Sequence, residues 1–170
     1  MKTLDLIAKS EADGIFIETS GNGNLTMMGN LDNFQKWREI IKQNKTEILR
    51  LINPKSDGWS VRDWHFFFLN RVEFFNRCNN SLQQNETNSI AYGYCLSHWQ
   101  DLNPSPSEPG RCAHCGSPHR VLLAYLTSRF INNPAHTWLH LECSTAWHDK
   151  RKEVAEQALK DMGISIPELD

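Results

Sequence analysis

Two short cysteine pairs dominate the chemistry available to this chain: Cys112-Ala-His-Cys115-Gly116, and later Leu139-His140-Leu-Glu-Cys143. Thiols three positions apart on a tight turn can face one ion, and the glycine after them relieves the backbone. A histidine and a cysteine three apart at the start of a helix share a face. Three thiolates and one imidazole form the soft donor set that zinc favours. Four protein ligands fill a tetrahedral shell and leave no position for an activated water, so the expected role is structural. The spacing therefore predicts one Zn2+ on Cys112, Cys115, His140 and Cys143. His114, His119, His136 and His148 lie close in sequence, and His136 is the alternative fourth ligand. Metal binding contributes roughly 10–16 kcal/mol in small fingers, far more than a core of this size supplies.

The elements that must position these ligands follow from the residues between them. Val121–Leu126 and His136–Leu139 read as strands flanking an Asn-Asn-Pro turn, and the second pair opens the last helix. This order of knuckle, hairpin and helix resembles treble-clef zinc fingers, here over residues 110–164. Some treble clefs scaffold nuclease sites with His and Asn near the metal, a role that would fall to Asn132, Asn133 and His136. Asn-Asn-Pro is equally ordinary turn material, and a closed zinc leaves no catalytic ion. No Gly-rich phosphate loop, nucleophile elbow or His-Glu-x-x-His signature occurs, so no enzyme is expected. Cys78 and Cys95 sit on apolar helical faces and read as buried, inert thiols. Cys95-x-x-His98 lacks further ligands for a second metal.

The N-terminal block begins with a short helix, Thr3 to Lys9, that places Leu4, Ile7 and Ala8 on one side before Gly14. Gly14-Ile-Phe-Ile-Glu-Thr-Ser20, the turn Gly21–Asn24 and Leu25-Thr-Met-Met28 predict a β-hairpin. Asp32, answered by Gln35, caps a helix carrying Phe34, Trp37, Ile41, Ile48, Leu51 and Ile52. Asn53-Pro54 ends it. This order, with Gly-Ile-Phe-Ile-Glu, Leu-Thr-Met and Lys-Thr-Glu-Ile-Leu-Arg-Leu-Ile, resembles the TubC-type N-terminal docking domains of nonribosomal peptide synthetases. That family is often dimeric and receives a short peptide from a partner chain. No condensation domain follows here, so the resemblance implies peptide docking along Leu25, Thr26 and Met27, with homodimerisation through residues 1–54.

In the middle block, residues 59–103, Ser60 and Asp63 form a capping pair for a helix bearing Val61, Trp64, Phe68, Val72 and Phe75, widened by Phe66, Phe67 and Phe74. So broad an apolar surface predicts a helix almost encircled by neighbours. A second helix from Glu86 to Leu102, carrying Ile90, Ala91, Tyr94, Cys95, Trp99 and Leu102, completes an antiparallel hairpin. Asn103-Pro-Ser-Pro-Ser-Glu-Pro-Gly110 reads as an extended linker. The fold expected is α+β and mainly helical, with three small modules at 1–54, 59–103 and 110–164. Trp64, Trp99, Trp138 and Trp147 are candidates for packing between them.

The totals bound what the chain can do. A net charge of −2 over 170 residues excludes a surface that is basic throughout. Residues 111–161 hold a surplus of two cations, which a zinc with three thiolates reduces to one. The one basic run, Lys150-Arg151-Lys152, is the candidate contact for DNA or RNA and reads equally as a solvated helix face. Charges in the first fourteen residues argue against a signal peptide, and no long apolar run suggests a membrane span. Five cysteines with this spacing read as cytoplasmic metal binding rather than disulfides. The overall order also resembles uncharacterised bacterial mobile-element proteins. The function expected is a zinc-binding adaptor that docks a partner protein, such as a mobile-element or replication enzyme. A nucleic-acid-binding accessory role is the alternative.

Overall fold

A computed structural model describes residues 3–20, 23–78, 82–118, 122–126 and 136–165. It is mainly helical with two small antiparallel sheets, an α+β architecture. The chain divides after Phe66 into two compact units.

The first unit starts with α1 (Thr3–Ala12), which buries Leu6, Ile7 and Ser10. Leu6 takes the inward position that the sequence periodicity assigned to Ala8, which is exposed. Gly14 follows at φ 76, where a residue with a Cβ would be strained. Strands β1 (Ile15–Ser20) and β2 (Asn24–Gly29) pair from Ile15↔Gly29 to Ser20↔Asn24, as the alternation of apolar residues requires. Ile15 and Ile17 point into the core, and Phe16 and its cross-strand partner Met28 point outward.

Helix α2 (Leu31–Gln43) is capped by Asn30, whose Oδ1 accepts from the Asp32 N–H at 3.0 Å. Asp32 therefore lies in the first turn rather than at the cap, where it still favours the helix N-terminus. The expected single helix is broken at Asn44. Its side-chain amide donates to the Ile40 carbonyl at 2.8 Å, and α3 (Lys45–Ile52) starts afresh. Such back-bonding competes with helix continuation. The predicted core face is present nonetheless: Trp37, Ile41, Ile48, Leu51 and Ile52 are buried. Asp13 receives Lys36 Nζ at 2.7 Å and Trp37 Nε1 at 2.9 Å. Those donors hold its carboxyl below the usual range.

Helix α4 (Val61–Cys78) begins with the predicted cap. Asp63 N–H donates to Ser60 Oγ at 3.2 Å, and Ser60 N–H donates to Asp63 Oδ2 at 2.8 Å. Trp64, fully buried, packs on Trp59 at 4.8 Å within this unit. The helix is not encircled: only Val61 and Trp64 are buried, while Phe66, Leu69 and Phe74 are exposed.

In the second unit α5 (Gln84–Leu102) buries Thr87, Ala91, Tyr92 and Cys95. Its inward face is rotated from the predicted one, because Ile90 and Tyr94 are exposed and Tyr92 takes the interior. The rest of α4 meets α5 through aromatic contacts, Phe67 on His98 at 4.9 Å and Phe75 on Tyr94 at 5.4 Å. Strands β3 (Leu122–Leu126) and β4 (His136–His140) form the second sheet, with Leu122↔His140 at one end and Leu126↔His136 at the other. Helix α6 (Leu141–Asp161) follows directly and buries Ala155 and Leu159, with Met162 and Ile164 completing the core beyond it. The Pro-rich segment lies along β4: Thr137 Oγ1 donates to the Ser105 carbonyl and Trp138 N–H to Ser107 Oγ, both at 2.8 Å. Among the described residues, no helix is long and apolar enough to cross a membrane.

Candidate metal centre

The knuckle is closed by local backbone bonds. Gly116 N–H donates to the Cys112 carbonyl at 2.8 Å, and Cys112 N–H to the Ser117 carbonyl at 3.1 Å. Gly116 sits at φ 72, which only the missing Cβ makes inexpensive. Ala113 N–H donates to the Trp138 carbonyl at 2.8 Å and so fastens the knuckle to β4. The second pair comes from the junction of β4 and α6, where His140 keeps extended dihedrals (φ −71, ψ 149) as the N-cap and Cys143 lies in the first turn.

Together these elements bring one donor atom each from Cys112, Cys115, His140 and Cys143 within 4.8 Å of one another. His140 Nδ1 lies 3.4 Å from Cys115 Sγ and 3.9 Å from Cys143 Sγ. Ligands of a tetrahedral zinc, with bonds of about 2.3 Å to sulfur and about 2.0 Å to nitrogen, stand roughly 3.5–3.8 Å apart. The donor set and its spacing thus fit a single structural zinc, and His140 is the fourth ligand. His136, the alternative, is exposed and faces Trp138. A zinc bound at Nδ1 would leave Nε2 of His140 as the N–H of the imidazole. That nitrogen is buried and has no hydrogen-bond partner among the described residues.

The thiols are electrostatically unequal. Burial pushes Cys112 up, but backbone N–H donors at Cys115, His140 and His114 outweigh it and bring the thiol down to about 6. Burial and the neighbouring Cys112 and Cys115 thiols push Cys143 up to about 11. Three thiolates therefore cannot gather here cheaply unless a cation shares the site.

The other candidate residues are placed as follows. Leu25, Thr26 and Met27 lie on β2 and line a groove of about 520 Å³ with Phe34, Ile41 and a basic rim of Arg38, Lys42 and Lys45. This rim was not singled out in the sequence, although Arg38, Lys42 and Lys45 recur at nearly helical spacing. Lys150, Arg151 and Lys152 are not brought together. Lys150 is exposed, Lys152 pairs with Glu156 at 3.6 Å, and Arg151 turns onto α5. Asn132 and Asn133 lie outside the described residues. Cys95 is fully buried as expected, but Cys78 is exposed, because the end of α4 meets solvent on that side. Comparison with protein-family models, with curated proteins and with solved structures returned no match.

Proposed function

We propose that the chain is a non-enzymatic adaptor, held together in its second unit by zinc, that receives an extended peptide from a partner protein in its first. The observation carrying this reading is the groove beside β2. Leu25, Met27, Phe34 and Ile41 offer it an apolar floor, and Arg38, Lys42 and Lys45 line its rim without an acidic residue among them. Among the described residues, strand β2 is paired within its sheet with β1 alone, which leaves a row of main-chain groups for an added strand. A partner segment with alternating apolar residues and carboxylates suits both features. The likeness to TubC-type docking domains supports the same reading and adds pairing of two copies through residues 1–54. The likeness to mobile-element proteins makes a larger mobile-element or replication enzyme the partner to try first.

The test uses the intact chain as bait. A protein retained by the wild type should be lost with Met27→Lys and with the double variant Arg38→Glu, Lys42→Glu, while Lys150→Glu leaves retention unchanged. Equal retention by all variants, or no retained protein at all, rejects the docking reading. A gel shift that requires Lys150 and Lys152 would instead favour the nucleic-acid role.

A further inference from the structure

The side chain of Arg151 links the helix that carries two metal ligands to the helical hairpin in the second unit. Helix α6 starts on two of the ligands, with His140 as its cap and Cys143 in its first turn. Roughly two turns further on, Arg151 leaves the same helix. Its Nη2 donates to the carbonyls of Gln100, at 3.2 Å, and Asn103. These belong to the last turn and C-cap of α5, where carbonyls have no helical partner. The guanidinium also lies 5.7 Å from the ring of Trp99 on α5 and 5.9 Å from that of Trp147 on α6. A half-buried cation needs donors satisfied and faces to stack on. Arg151 finds both only when the two helices are docked. The chain leaving α5 is then held by β4 through Ser105 and Ser107, and β4 itself ends on His140.

We propose that Arg151 couples occupancy of the metal site to docking of α5, so that zinc binding and ordering of the hairpin form one equilibrium. The inference rests on the metal site and is independent of the peptide groove. Coupling of this kind is reciprocal: whatever docks α5 tightens the metal by the same factor. Ile90 and Tyr94 are exposed on α5, so the apolar surface that the hairpin offers to other molecules becomes a function of metal occupancy.

Hydrogen exchange on the full chain, zinc-loaded and after chelation, tests this together with zinc competition and the Co2+ absorption spectrum. In the wild type, chelation should accelerate exchange at residues 99–103 at least tenfold. In zinc-loaded Arg151→Gln, those amides should already exchange fast, with the four-donor Co2+ spectrum retained. Its zinc affinity should fall roughly tenfold, inside the 5–150-fold range typical of coupled sites. Unchanged exchange at 99–103 on chelation, or wild-type zinc affinity in Arg151→Gln, overturns the proposal. Should Arg151→Gln fail to fold, Arg151→Lys decides. It keeps the charge and stem but not the fork, so wild-type affinity there is equally fatal, and weakened affinity supports the coupling.

Discussion

Burial raises the thiols of both Cys95 and Cys112, but backbone N–H donors reverse the shift at Cys112, and each outcome can be measured. Burial pushes the Cys95 thiol up to about 12, so the folded chain favours its neutral form. The corresponding stability is complete below the unfolded thiol value of about 8.5 and is lost as pH rises from there toward 12. Cys112 behaves inversely. Its folded value is lowered to about 6, so its contribution is present above the unfolded value and disappears as pH falls through 6. Protons also compete for the metal ligands directly. Zinc release on acidification, followed with a chromophoric chelator, should therefore be steeper than the titration of a single group, because several ligands take up protons together. In the zinc-loaded native protein, a thiol reagent should label exposed Cys78 rapidly and Cys95 only after denaturation. Rapid labelling of Cys112 or Cys115 under those conditions would show that the metal is not held.

At the scale of elements, stability should track caps and glycines whose surroundings differ. Ser60 is buried and satisfies the first turn of α4, so Ser60→Ala should cost about 1 kcal/mol, read from the urea midpoint. Gly29 has φ 132, and an added Cβ would stand 1.9 Å from the Gly14 carbonyl oxygen. Gly29→Ala should therefore destabilise by about 3 kcal/mol or more, combining strain with the clash. Gly93 is the opposite case. It lies inside α5 on the exposed side with nothing within 4 Å of an added Cβ. Gly93→Ala should stabilise by about 0.5–1 kcal/mol, and a loss of stability would mean that something packs against that face.

For the whole molecule, zinc should act on one unit. All four ligands lie in residues 67–165, and the core of Ile7, Ile15, Ile17, Trp37, Ile41 and Ile48 lies in residues 3–66. Chelation of the full chain should raise amide exchange in the second unit and leave that of β1, β2 and α2 unchanged. A comparable rise in the first unit would show that its stability depends on the metal.

The ligand set was legible in the sequence because each pair is local, and both the thiol spacing and the His-x-x-Cys helix start are fixed within one turn of chain. The Ser60–Asp63 cap and the β1–β2 hairpin were legible for the same reason, since turn chemistry and capping act over three or four residues. Packing decided what those rules leave open. Whether Tyr92 or Tyr94 enters the core depends on how α5 rotates against α6, and both rotations satisfy the helical period. The Pro-rich segment read as a linker because its partners, Thr137 and Trp138, are some thirty residues away. Arg151 read as part of a basic run because its task is defined by the end of another helix. The sequence by itself determined which metal chemistry the chain can perform, since ligand type and spacing are local. Only the tertiary structure decided that His140 rather than His136 completes the site, and that Arg151 serves α5 rather than solvent, because both choices depend on which distant backbone arrives beside them.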